Sequence, residues 1–244
     1  MSNYLIILLC ILFFGLAHFF VNLGIFFRIA GSRSKAPYIS HSIEKFFQLV
    51  STACLAVFTP SLAFITEAIF STQNYILLVC IAQFFSFLLV GFLIISRDSI
   101  LSWALLFIDI STHDRHFYLR VFSSFVAHLD LFSSKVFNYR KVSGRFLLIG
   151  FLISFFSGSG FFAAFFLASI YPDYRLTLSQ SAIVIHGFGI LLQSLYADPA
   201  LARIQETKSS TDWEYFFISY LLGRSLAFFV ATVISGAFYL MIIT

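Results

Sequence analysis

Six apolar runs, at 4–30, 43–70, 75–96, 146–171, 176–196 and 213–243, leave this chain few architectures. Each is about the roughly 20 residues a helix needs to cross the hydrocarbon of a bilayer. Inside hydrocarbon every backbone N–H and C=O must be satisfied by the protein itself, so only helices and closed barrels span. The runs lack the long alternation of apolar and polar residues that barrel strands require. The expectation is an all-α integral membrane protein with about six transmembrane helices. Composition excludes a soluble alternative: 60% of residues are hydrophobic and 11% charged, and the mean hydropathy is +0.95, far from the balance of soluble domains.

The first run opens MSNYLIILL, without a basic leader, and continues past the length of a signal-peptide core with no A-x-A-like site closing it. It is expected to be a retained helix. Cys10, Cys54 and Cys80 lie inside apolar runs and form no CxxC or metal spacing, so they read as buried thiols. No metal or cofactor is expected. The net charge of +4 is small and localised, which points to membrane orientation and not to nucleic acid.

Basic residues set that orientation. Arg28, Arg33, Lys35 and Lys45 flank the first connection, Arg97 to Arg145 crowd the third, and Arg203 and Lys208 lie in the fifth, whereas the second has none and the fourth only Arg175. Positive charge favours the cytoplasm, so both termini are expected on the outer side. The chain divides into a first three-helix half, 1–96, a connector, 97–143, and a second three-helix half, 144–244. Three spans on each side of the connector run in opposite senses, the geometry of the inverted repeats that build midplane sites in transporters. Two unrelated halves remain the alternative, since the residues show no internal similarity.

The connector is too apolar for a solvated linker. Ile100, Leu101, Trp103, Leu105 and Ile108, then Phe117, Leu119, Phe122 and Phe125, alternate with Asp, His and Arg. Amphipathic helices on the inner membrane surface are expected there. The cluster His113, Asp114, Arg115 and His116 reads as a solvated turn between two such helices, because no further ligand lies at helical spacing.

Within the runs, polar and small residues recur at helical period. Lys45, Gln48, Thr52, Ala56, Thr59, Ala63 and Thr66 form a stripe on the second span, interrupted by Pro60, which lacks a backbone donor. Ser179, Ala182, His186, Gly189 and Gln193 do so on the fifth, and Tyr220, Arg224, Ala227, Ala231 and Ser235 on the sixth. Gly150, Ser154 and Gly158 on the fourth read as a close-contact face between helices. Small-residue contact does not account for Lys45, His186 and Arg224.

Arg224 begins some eleven residues into the last run, roughly 16 Å along a helix at about 1.5 Å per residue. A lone Arg at such depth costs at least about 2.5 to 3.5 kcal/mol on insertion scales, so an anion is expected beside it. Glu67 reads as the clear carboxylate within the spans, and Asp198 stands at the inner end of the fifth. Two readings follow. Arg224 pairs structurally with Asp198, or Arg28, Lys45 and Arg224 share an anionic ligand that Arg grips with a planar fork and Lys with a mobile charge. The stretch 18–45 supplies His18 and Asn22 beside Arg28. His18 and His186 then serve as proton-linked groups or as satisfied packing residues, and Glu67 and Asp198 as coupling or pairing carboxylates.

These residues resemble a family. HFFVNLGIFFRIAGSRSK, with its His before an Arg-x-Ala-Gly turn and short basic loop, is similar to the first-span signature of the Amj family, the alternate lipid II flippases. SAIVIHGFGILLQSLYADPALARI resembles that family's Gly-containing fifth span ending in Asp-Pro, here Asp198 and Pro199, and YLLGRSLAFFVATVISG resembles its sixth span with Arg224. His186 stands before Gly187 where the family pattern has Asn, and Phe58 to Ser61 replace an Asn-containing stretch of the second span. The resemblance implies a multi-pass protein of the bacterial cytoplasmic membrane whose partners are membrane lipids and lipid II. Its implied activity is movement of an undecaprenyl-pyrophosphate-linked disaccharide pentapeptide from the inner to the outer leaflet for peptidoglycan synthesis. Arg28 and Lys45 would capture the pyrophosphate and Arg224 hold it deeper, with His18, Asn22 and His186 lining the path. The chain has no GxxxxGK[ST] loop, so nucleotide hydrolysis is not expected. Transport of another anionic lipid-linked or small solute, a lipid-modifying membrane enzyme and a scaffold remain the alternatives.

Overall fold

The structure is a computed structural model, and it describes residues 3–34, 36–68, 71–113, 142–207 and 210–243. Its elements follow the apolar runs. α1 (Asn3–Arg33), α2 (Pro37–Ala68) and α3 (Thr72–Ile95) are followed by the shorter α4 (Arg97–His113). The fourth run is one continuous helical rod made of α5 (Gly144–Ser154), a π turn (Phe155–Ser159) and α6 (Gly160–Ile170). The fifth repeats that plan with α7 (Arg175–Leu192), a π turn (Gln193–Ala197) and α8 (Asp198–Thr207); α9 (Ser210–Ile243) closes the chain. Six helical segments among the described residues are long and apolar enough to cross a membrane, as expected.

Local chemistry explains the joints. Ser71 caps α3 by accepting from the Asn74 amide, which satisfies one of the donors a helix start leaves open. Ala36 and Pro37 close the short link between α1 and α2, with the Ala36 amide bonded to the Gly31 carbonyl. Pro60 lies inside α2 without ending it. Gly150 and Gly223 let α5 and α9 touch backbone to backbone: a Cβ on Gly150 would strike the Tyr220 carbonyl, and one on Gly223 the Leu147 carbonyl. The close-contact reading of the fourth span therefore holds at Gly150.

Two expectations are corrected. The stripe Lys45, Gln48, Thr52, Ala56 does not face the bundle; Lys45, Thr52 and Ala56 are exposed, and α2 buries Ser40, Glu44, Phe47, Ser51, Cys54, Phe58 and Leu62 instead. The polar groups of the stripe bond within their own helix, Lys45 Nζ to Gln48 Oε1 and Thr52 Oγ1 to the Gln48 carbonyl, so nothing draws them inward. The beginning of the connector is also more deeply seated than a surface helix. Ile100, Leu101, Trp103, Ala104 and Ile108 of α4 are buried in the core with Phe27 and Phe47, and the Trp103 and Phe27 ring centres lie 5.3 Å apart in a T-shaped contact. The remainder of the connector, with Asp114, Arg115 and His116, lies outside the described residues.

The apolar interior is split in two. One core gathers Leu23, Phe27, Phe47, Trp103, Ile153, Leu201, Phe217 and Tyr220. The other gathers Phe14, Phe58, Leu62, Phe162, Phe165, Ala182 and Phe228. We call these the Arg28 end and the Phe14 end of the bundle.

Candidate functional site

Four of the spans place buried or half-buried polar side chains between the two cores. On α1 the interruption falls at His18 and Asn22, on the fourth span at Ser154 and Ser157, on α7 at His186 and on α9 at Arg224. The result is a polar layer between two hydrophobic cores.

The geometry of that layer is tight. His18 is 4% exposed, its ring centre 4.6 Å from that of Phe14 in an edge-to-face contact and 4.6 Å from that of Phe228 in a tilted one. Gly158 keeps that slot open, since a Cβ there would come to 2.9 Å from the Phe228 ring and 3.7 Å from His18 Nε2. Asn22, one turn on, donates Nδ2–H to the His18 carbonyl at 2.6 Å. Arg224 is 2% exposed; its Nε donates to Ser154 Oγ at 2.9 Å and its guanidinium carbon lies 5.6 Å from the centre of the Tyr220 ring, a cation–π contact. His186 Nδ1 lies 3.1 Å from the Ser157 carbonyl, and its ring is 4.9 Å from that of Phe161. Ser157 belongs to the π turn, whose altered register offers backbone groups to side chains; such turns concentrate at functional places. Arg224 and His186 both lie close enough to act electrostatically on His18.

Four buried polar atoms of this layer have no hydrogen-bond partner among the described residues: His18 Nε2, Asn22 Oδ1, Ser157 Oγ and Arg224 Nη1. Each such group, left unmet, costs about 1 to 3 kcal/mol, and a charged one more. All four belong to side chains buried between the two apolar cores.

Below the layer, at the Arg28 end, sits an ion-pair cluster. Arg28 Nη1 reaches Asp198 Oδ1 at 2.9 Å and Arg28 Nε lies 3.5 Å from Glu44 Oε2; His41 Nδ1 is also 3.5 Å from that oxygen. Arg33 forms a second pair with Glu214 at the start of α9. These contacts tie the α1–α2 hairpin to α8 and α9.

Of the residues singled out from the sequence, His18, Asn22, His186 and Arg224 come together in the layer, and Arg28 joins Asp198 one level away. Asp198 is thus the partner of Arg28, not of Arg224. Lys45 is exposed on the flank of α2, and Glu67 is exposed at its far end. Glu44, next to Lys45, is the buried carboxylate of this helix at 4% exposure, and the sequence reading missed it. Its signal is position: it falls about one turn before Phe47 and about two before Ser51, on the face that continues through Cys54 and Phe58. Ser154, expected only on the close-contact face of the fourth span, also accepts the Arg224 Nε hydrogen bond.

Compared with known proteins, the chain matches the family model described as Amj, Alternate to MurJ, over residues 16–216. That stretch contains His18, Asn22, Arg28, Glu44, His186 and Asp198 and ends before Arg224. No curated protein and no solved structure matches the chain.

Proposed function

The chain belongs to the Amj family, and on that premise we propose that it moves lipid II, the undecaprenyl-pyrophosphate-linked peptidoglycan precursor, across the bacterial cytoplasmic membrane. The observation that carries this reading is the buried Arg224, with Nη1 unspent and the open atoms of His18, Asn22 and Ser157 in the same layer. A pyrophosphate offers many acceptor oxygens, and Arg–phosphate bonds are among the strong ones. Arg224 has its Nε occupied by Ser154, which fixes the fork and leaves the outer nitrogen for cargo.

The path begins at the Arg28 end. Lys45, exposed on the α2 flank, gathers the anionic head from the membrane surface as a mobile charge. Arg28 is already neutralised by Asp198 and Glu44, so the pyrophosphate engages it by displacing Asp198. That exchange frees α8 from the α1–α2 hairpin and opens the way to Arg224, while His18, Asn22 and His186 line the crossing. The lipid tail stays in the bilayer. An inside-negative potential drives anionic cargo outward by about 2.3 kcal/mol per charge per 100 mV.

The test is leaflet-to-leaflet transport of a lipid-linked peptidoglycan precursor in liposomes containing the purified protein, beside Arg224→Ala shown to be helical by circular dichroism. The expected result is transport by the parent and a loss of about tenfold to a hundredfold in the variant, the range that one charge-assisted hydrogen bond confers. A folded Arg224→Ala protein that transports at the parent's rate overturns the site. A folded parent that moves no precursor overturns the cargo.

A further inference from the structure

A cavity of about 300 Å³ opens between α3, the fourth span and α9 at the Phe14 end of the bundle. Phe162, Phe166, Ile234 and Phe238 are among the side chains that line it. Its hydroxyl groups are partly spent already: Tyr75 donates to the Phe162 carbonyl at 2.7 Å and Ser235 to the Ala231 carbonyl at 2.8 Å. Gln83 is different. It is 1% exposed, lines the cavity, and neither its amide nitrogen nor its amide oxygen has a hydrogen-bond partner among the described residues.

A glutamine amide carries two donors and a carbonyl acceptor, and burying it unmet is costly. Water answers poorly here, because apolar cavities stay dry and a buried water needs two to four polar partners, roughly. The way in is through hydrocarbon: Ala163, Ile234 and Phe238 at the cavity are exposed on the apolar flank of membrane-spanning helices. An occupant therefore comes from the bilayer, fills an apolar space, and meets Gln83 with a group that both donates and accepts. The volume, equal to about ten waters at about 30 Å³ each, takes part of one chain, and the inserted end must carry the group that meets Gln83, which the plain acyl chain of a two-chain lipid lacks.

We propose that this cavity binds a single-chain membrane amphiphile whose hydroxyl or un-ionised carboxyl group donates to Gln83 Oε1 and accepts from Gln83 Nε2, its hydrocarbon lying along Phe162 and Phe166. The site is separate from the polar layer and does not depend on the identity of the transported cargo. It does share the π turn: Phe155 and Ser159 line the cavity, whereas Ser157 and Gly158 adjoin His186 and His18. A bound chain thus braces the same turn that shapes the layer.

The experiment photolabels the full-length protein in phosphatidylcholine liposomes with a long-chain diazirine alcohol or with the diazirine hydrocarbon of equal length, and maps the adducts by mass spectrometry. The parent should be labelled around Phe166 and Ile234, with the alcohol exceeding the hydrocarbon by about threefold to tenfold, the range of one net hydrogen bond. Gln83→Leu, which removes the unmet amide and so spares the fold, should lower the alcohol to the hydrocarbon's level. Ala163→Trp, at the exposed mouth, should lower both. Equal labelling of the parent by the two probes, an unchanged alcohol signal in folded Gln83→Leu, or adducts spread evenly over the lipid-facing surface would overturn the proposal.

Discussion

Arg28 donates through Nη1 to the Asp198 carboxylate at 2.9 Å across 170 positions of sequence. The bond joins the first helix to the element that follows the second π turn, and the Arg28 end of the bundle closes around it. Glu44 shares the same guanidinium from α2, so one cation holds three helices.

Asp198→Asn keeps the shape and removes the charge. Both side chains are partly shielded, at 18% and 29% exposure, so the loss should be on the order of 1 to 3 kcal/mol. A cycle with Arg28→Gln, read by thermal unfolding in detergent, should return a coupling above about 0.5 kcal/mol. Additive single effects would mean that the pair does not hold the helices together.

Arg224 is expected to resist its conservative replacement. Lysine keeps the charge but cannot donate from Nε to Ser154 while presenting a second nitrogen to the layer. Transport in liposomes should therefore fall by about tenfold or more in Arg224→Lys, the scale of one charge-assisted bond. Ser154→Ala, which leaves the Arg224 Nε buried and unmet, should lower the unfolding temperature while Arg224 stays in place. Parent-like behaviour of both variants would show that the Nε–Oγ bond sets nothing.

Glycine positions separate contact from mere helicity. Gly158→Ala places a methyl 2.9 Å from Phe228 and beside His18, and overpacking of this kind costs about 1 to 3 kcal/mol. Gly91→Ala has nothing within 4 Å of the new atom and should gain up to about 1 kcal/mol from helix propensity. Opposite shifts in unfolding temperature are expected; parallel shifts would contradict the slot at His18.

Lys45→Gln should leave stability within about 0.5 kcal/mol, as an exposed substitution does. Under the proposed path it should nonetheless raise the cargo concentration needed for half-maximal transport, and added salt should narrow the gap between variant and parent. A variant that matches the parent at low salt would remove Lys45 from the path.

Much of this was legible before any coordinates. Apolar length alone marks the spans, and on α9 the period Tyr220, Arg224, Ala227, Ala231 picks out the face that is in fact buried. The same rule failed on α2 for a physical reason. Thr52, Thr59 and Lys45 satisfy themselves on Gln48 and Leu55 of their own helix, so polarity there carries no information about direction. Glu44 was hidden by that error, since neighbours on a helix of 3.6 residues per turn point about 100° apart. Pairing Asp198 with Arg28 in place of Arg224 depends on how α8 is turned, and a π turn just before it shifts that register in a way no periodicity reveals.

The π turn at Phe155–Ser159 has a mechanical meaning as well. A rod with a wider coil in its middle has two ends that need not keep the same phase. If the coil were passed along the rod by one residue, the side chain it crossed would swing by about 100° while both ends stayed anchored. Ser154 stands at the threshold of that coil, bonded to Arg224. Such a passage towards α5 would turn Ser154 without tilting, sliding or unfolding the span: rotation travelling as a dislocation through an otherwise fixed helix.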